Sequence, residues 1–131
     1  METHLKVQFQ LNPFLKYVGF ELVSLEKDNI VVKLSIESKH HNTGRNLHGG
    51  VHAAMLDTAQ SFLLRSTYGV PVVTLSNYVN YIAPSNAGDL FATAKIIQKG
   101  YKTATVESQI MDINNQLIAN GSGVYQIERD Q

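Results

Sequence analysis

The chain has 131 residues, 44% of them apolar and 17% charged, the size and mix of one folded domain, expected to span 1–131, that buries about two-thirds of its unfolded surface. Eleven basic residues balance eleven acidic ones, so no broad positive field favours nucleic acid or an anionic membrane surface. The absence of cysteine excludes disulfides, thiolate zinc sites and cysteine nucleophiles.

Residues 1–6 are polar, and neither a signal-peptide core nor an apolar run of about 20 residues occurs; the expectation is a cytoplasmic protein with no membrane partner. Residues 12–18 combine a capping Asn12, Pro13 at the first helical position and an apolar cluster, which predicts a short helix ending at Gly19. From 29 to 37 the pattern alternates, with Ile30, Val32, Leu34 and Ile36 on one face, a half-buried strand paired with 20–26. Residues 39–50 have no periodicity and hold His40, His41, His48, two Asn and three Gly, which predicts a loop. A long helix is expected over 51–68, then strands at 72–82, 90–98, 102–112 and 116–127, separated by turn residues. Such short connections imply antiparallel neighbours, so the predicted class is α+β, a sheet that wraps or covers one major helix.

On that helix Val51, Met55, Ala59 and Phe62 form a bulky stripe expected to pack on the sheet. The adjoining face, Gly50, Ala53, Ala54, Asp57, Gln60 and Ser61, is small and polar around one carboxylate. An Asp at mid-helix is a poor helix former and too far from the N-terminus to gain from the helix dipole. Two readings follow: a solvated residue pairing with a charge such as Arg65, or a carboxylate kept for general-base chemistry.

His48-Gly49-Gly50 opens the helix, where backbone N–H groups lack intrahelical acceptors and the dipole is positive. Glycines let a carbonyl approach, and fixed donors stabilise a developing oxyanion. The same tripeptide is also an ordinary glycine turn. His48 and His52 stand four apart, but the chain lacks a His-Glu-x-x-His glutamate, so no metal is expected.

The run 41–59, with Asn42, then His48-Gly49-Gly50 six residues later, then Asp57 nine residues after the His, resembles the signature of PaaI-type thioesterases in the 4-hydroxybenzoyl-CoA thioesterase superfamily. The likeness continues through 74–84, Gly88-Asp89 and 94–125. The resemblance implies the hot-dog fold, a curled antiparallel sheet around one long helix, and hydrolysis of acyl-coenzyme A without a cofactor. It implies Asp57 as nucleophile or general base, the Gly49 amide with Asn42 polarising the thioester carbonyl, His48 as part of the same loop, and Thr74 orienting water where relatives have Ser. Tyr78 replaces a small polar residue of the family and is expected to reshape the acyl pocket.

His48 and Asp57 are nine residues apart, about 13 Å along a helix at roughly 1.5 Å per residue. They cannot grip one carbonyl together, so a twofold homo-oligomer should bring the Asp57 of one subunit to the Gly49 loop of another. The resemblance adds a tetramer, a dimer of dimers. Lys95, Lys99 and Lys102 cluster around a turn and are candidates for CoA phosphates, or simply solvated edge lysines. The alternatives are a non-catalytic acyl-CoA binding protein, or a hot-dog hydratase or dehydratase recruiting His48 or His52.

Overall fold

The computed structural model describes residues 2–129. Helix α1 (Glu2–Leu11) leads into α2 (Pro13–Val18), then strands β1 (Glu21–Glu26) and β2 (Asn29–Ser35), and a single 3-10 turn at Ser38–His40. The long helix α3 (Gly49–Tyr68) precedes β3 (Val72–Tyr81), β4 (Asp89–Lys99), β5 (Thr103–Asp112) and β6 (Leu117–Ile127). All strands join one antiparallel sheet in the order β1-β2-β4-β5-β6-β3. This is the hot-dog architecture.

The elements form for local reasons. Asn12 caps α2 by accepting from the Leu15 N–H, and Gly19 ends it at φ 98°, a left-handed conformation that glycine adopts without a Cβ penalty. α3 is capped by His48 and closed by Gly69. In β2 the alternation holds, with Ile30, Val32 and Leu34 fully buried.

The stripe expected on α3 proves too narrow. Met55, Ala59 and Phe62 are buried, but so are His52, Leu56, Thr58, Gln60, Leu63 and Leu64. The sheet curls around the helix, which touches strands β1 to β6, so the helix is buried on most of its circumference rather than on one stripe. Each fully buried Leu or Met contributes roughly 1.5–3 kcal/mol of transfer free energy.

Helix α1 was not anticipated. Among its described side chains it buries Leu5 and Phe9, an i, i+4 pair too brief to register as periodicity; Phe9 meets Phe62 edge-to-face at 5.0 Å between centroids. Among the described residues no helix is long and apolar enough to cross a membrane. Strand β3 lies at a sheet edge and is exposed along most of its length, including Val73, Leu75, Tyr78 and Tyr81.

Candidate active site

Asp57 lies at mid-length on α3, half-buried where the helix crosses the β3–β6 end of the sheet. Its Oδ1 accepts three hydrogen bonds: from the Thr74 hydroxyl at 2.9 Å, the Asn77 amide at 3.0 Å and the Tyr125 hydroxyl at 2.7 Å. No donor among the described residues meets Oδ2. The carboxylate is therefore held by one oxygen and open at the other. Arg65, the charge considered as its surface partner, instead donates to Gln8 Oε1, so the carboxylate is not part of an ion pair with it.

A bulge makes this geometry. Thr74 and Asn77 are three residues apart, and regular period-2 alternation would send them to opposite faces. The β3–β6 register slips between Thr74 and Ser76, and the extra residue turns both side chains toward Asp57. Across the ladder, Tyr125 pairs with Thr74 and Gly123 with Asn77.

Tyr125 is fully buried, and its hydroxyl also faces Gln60 Oε1 at 2.8 Å. Gln60 in turn donates from Nε2 to Ser108 Oγ at 2.6 Å, both residues being buried. Burial holds the phenol pKa far above its ordinary value, and the Asp57 charge and hydrogen bond push it the same way. The phenol is thus a fixed proton donor to the carboxylate. Gly123 leaves the necessary room, since a Cβ there would stand 2.3 Å from Gln60 Oε1 and 2.6 Å from Asn77 Oδ1.

The loop before α3 is tied down at several points. The His48 N–H donates to the His40 carbonyl at 2.8 Å, and the Leu47 N–H to the Ser85 carbonyl at 2.7 Å. His48 Nδ1 accepts the Gly50 N–H at 2.8 Å, while the Val51 N–H donates to the His48 carbonyl. The Gly49 N–H is left without a partner among the described residues. Asn42 Oδ1 accepts the N–H groups of Gly44 and Asn46 at 2.9 and 3.1 Å, which fixes the side chain and spends its oxygen on the loop. Asn42, Gly49, His52 and Tyr81 line one cavity of about 350 Å³.

The structure thus brings Asp57 together with Thr74, and Asn42 together with Gly49, as two separate clusters. Tyr78 belongs to neither, bordering a different depression with Lys95, Glu107 and Asn120. The three lysines are exposed and divided: Lys95 sits opposite Glu107, Lys99 lies 5.4 Å over the Tyr68 ring, and Lys102 borders a cavity with Tyr101 and Arg129. Among the described residues no group of His, Asp and Glu could hold a metal ion.

Asn77, Tyr125, Gln60 and Ser108 were not anticipated as site residues. Asn77 was hidden by the bulge, which no local pattern announces. Tyr125 carried a weak signal, a hydroxyl at an inward strand position where Phe would pack equally well, since a buried Tyr needs a partner.

A family model described as the thioesterase superfamily matches residues 44–119. The chain is 35% identical over 107 residues to a 1,4-dihydroxy-2-naphthoyl-CoA hydrolase of Listeria monocytogenes, covering 77% of this chain and 84% of that one. It is 30% identical over 124 residues to acyl-coenzyme A thioesterase 13 of Mus musculus, covering 89% and 86%. The PaaI protein of the E. coli phenylacetic acid degradation operon superposes with a TM-score of 0.88 at 22% identity, over 98% of this chain and 96% of that one, a likeness of fold.

Proposed function

The chain belongs to the thioesterase superfamily, and from that membership we propose that it hydrolyses acyl-coenzyme A thioesters to the free acid and coenzyme A. The observation that carries this reading is Asp57, anchored at Oδ1 by three donors with Oδ2 open. Thr74, Asn77 and Tyr125 orient it, and Gln60 and Ser108 hold Tyr125 in turn. The names of the mouse and Listeria relatives support acyl-CoA as the substrate class.

In the reaction, Asp57 Oδ2 either attacks the thioester carbon or takes a proton from a water that attacks it. In the first case a C–O bond forms as the C–S bond breaks, leaving an acyl anhydride that water cleaves. In the second the water oxygen bonds directly to carbon. Either way the carbonyl oxygen gains negative charge, which the Gly49 N–H and the Asn42 amide receive. His48 keeps the loop in shape through Gly50. The sulfur departs as a thiolate and needs little acid assistance. Lys95, Lys99 and Lys102 are candidates for the CoA phosphates.

Two subunits share each site in this reading. Gly49 and Asp57 are eight residues apart on one helix, about 12 Å, so the oxyanion donors must come from a second copy. The exposed edge strand β3 supports this, since it presents unpaired backbone groups and apolar side chains beside Thr74 and Asn77.

A thiol-release assay across short, long and aromatic acyl-CoAs tests the reading. Asp57→Asn is expected to lower kcat by about 10²–10⁴-fold with the fold intact. Undiminished hydrolysis in that variant would remove Asp57 from the chemistry; no thiol release from the unaltered chain would favour binding or hydration instead.

A further inference from the structure

Tyr81 is the last residue of β3 and is 59% exposed, and its hydroxyl has no hydrogen-bond partner among the described residues. Its place is nevertheless fixed. On the main chain Tyr81 pairs with Ala119, and the next two N–H groups, of Ile82 and Ala83, both donate to the Ile118 carbonyl. On the side chain the His52 ring packs edge-to-face at 5.5 Å between centroids. His52 is itself buried, with both nitrogens unpaired and neither open to a ligand, so it acts here as a packing surface.

Gly49 supplies the second contact. A Cβ there would stand 3.1 Å from Tyr81 Cε1, 3.4 Å from Cζ and 3.6 Å from the hydroxyl oxygen, so the ring fills the space that a side chain at 49 would take. Standard backbone dimensions then put the hydroxyl oxygen within about 6 Å of the Gly49 nitrogen. Two donors that grip one oxygen, each about 2.8 Å from it, stand roughly 4.6 Å apart, a separation inside that limit. The phenol and the Gly49 N–H both lack partners among the described residues, and both residues line the cavity that Asn42 borders. One oxygen entering there is able to accept from the two together.

We propose that Tyr81 is a further catalytic residue, whose hydroxyl donates to the thioester carbonyl oxygen beside the Gly49 N–H. The inference rests on the thioesterase reading. The hydrogen bond strengthens as negative charge develops on that oxygen, so it favours the transition state over the bound thioester. The phenol keeps its proton throughout and forms no covalent bond. Ring and hydroxyl have separate tasks. The ring packs on Gly49 and His52 and shapes the cavity wall, which a Phe would do equally well; only the hydroxyl touches the substrate.

The experiment compares Tyr81→Phe with the unaltered chain in two measurements. Thiol release from hexanoyl-CoA and benzoyl-CoA is expected to show kcat lowered by about 10²-fold, the cost of one oxyanion donor, with KM little changed. Infrared spectra are then taken of two bound ketones that carry a methylene between carbonyl and sulfur, S-(2-oxoheptyl)-CoA and S-phenacyl-CoA, each with a 13C-labelled carbonyl. Loss of the donor is expected to move the bound C=O stretch to higher frequency, a shift that a merely structural tyrosine would not produce. Sedimentation and Tm are expected to stay as they were, because the ring is retained. A fall in kcat of less than tenfold, or an unmoved carbonyl frequency, would overturn the proposal while leaving the hydrolase reading intact. If the unaltered chain cleaved no thioester, the hydrolase reading would fall and the ketone spectra alone would decide: a shift in Tyr81→Phe supports the contact, and an equal frequency or no binding of either ketone refutes it.

Discussion

A buried imidazole and a buried phenol set opposite pH limits on this molecule. His52 resists protonation in the folded chain, whereas the unfolded chain takes up that proton below about pH 6.5. Unfolding therefore becomes easier as pH falls through that value. His52→Leu should flatten the acid side of a plot of Tm against pH and raise Tm at neutral pH by roughly 4 °C, about 1 kcal/mol of relieved polar burial; a lower Tm with unchanged acid slope would contradict this. Tyr125 keeps its proton in the folded chain while the unfolded phenol ionises near pH 10, so stability should fall above that pH and Tyr125→Phe should lessen the fall. The same variant removes one donor from Asp57 Oδ1, leaving the carboxylate less firmly oriented. Its kcat should drop by about tenfold with KM little changed, whereas a purely structural Tyr125 would leave kcat per folded molecule unchanged.

Helix α3 and strands β3 and β6 form the unit that builds the carboxylate cluster, and two glycines of β6 separate its stability from its chemistry. A Cβ at Gly121 would lie 2.0 Å from the Tyr78 carbonyl oxygen, backbone against backbone, with no side chain able to yield. Gly121→Ala should push β3 off the sheet and destabilise the chain by about 2–3 kcal/mol, read from denaturant midpoints. A Cβ at Gly123 meets mainly the ends of side chains, Gln60, Asn77 and the Tyr125 ring. Gly123→Ala should therefore cost less stability but more activity, because Gln60, Asn77 and Tyr125 must shift from the positions that fix Asp57. Similar losses of stability for both variants would undercut that distinction. The bulge between Thr74 and Ser76 belongs to the same unit: it places Thr74 and Asn77 on one carboxylate, which strand alternation alone forbids.

For the molecule as a whole the two clusters lie along one helix, too far apart to act on one carbonyl, and the ten-residue edge strand β3 is open. If β3 joins two copies, Leu75→Lys, at a residue 54% exposed in the single chain, should yield monomers by sedimentation and abolish hydrolysis with little change in the monomer's fold. Mixing Asp57→Ala with Gly49→Pro should restore part of the activity through hybrid dimers, whereas no recovery at all would count against shared sites. Much of this was legible in one dimension. The strand alternation, the cap at Asn12 and the turn residues are local patterns from which the element order followed, and the Asn42, His48-Gly49-Gly50 and Asp57 spacing carried the family resemblance that implied the hot-dog fold and the catalytic candidates. Helix α1 escaped because two buried residues make too short a pattern, and the width of the buried face of α3 depended on a sheet assembled from distant segments. What only the tertiary structure decided was the company each residue keeps: Tyr125 meets Asp57 from 68 positions away, Asn77 joins it through a bulge, and His52 is left unpaired beside Gly49. Hydrogen bonds between remote strands depend on register and sheet curvature, and neither is encoded in the spacing of any one segment.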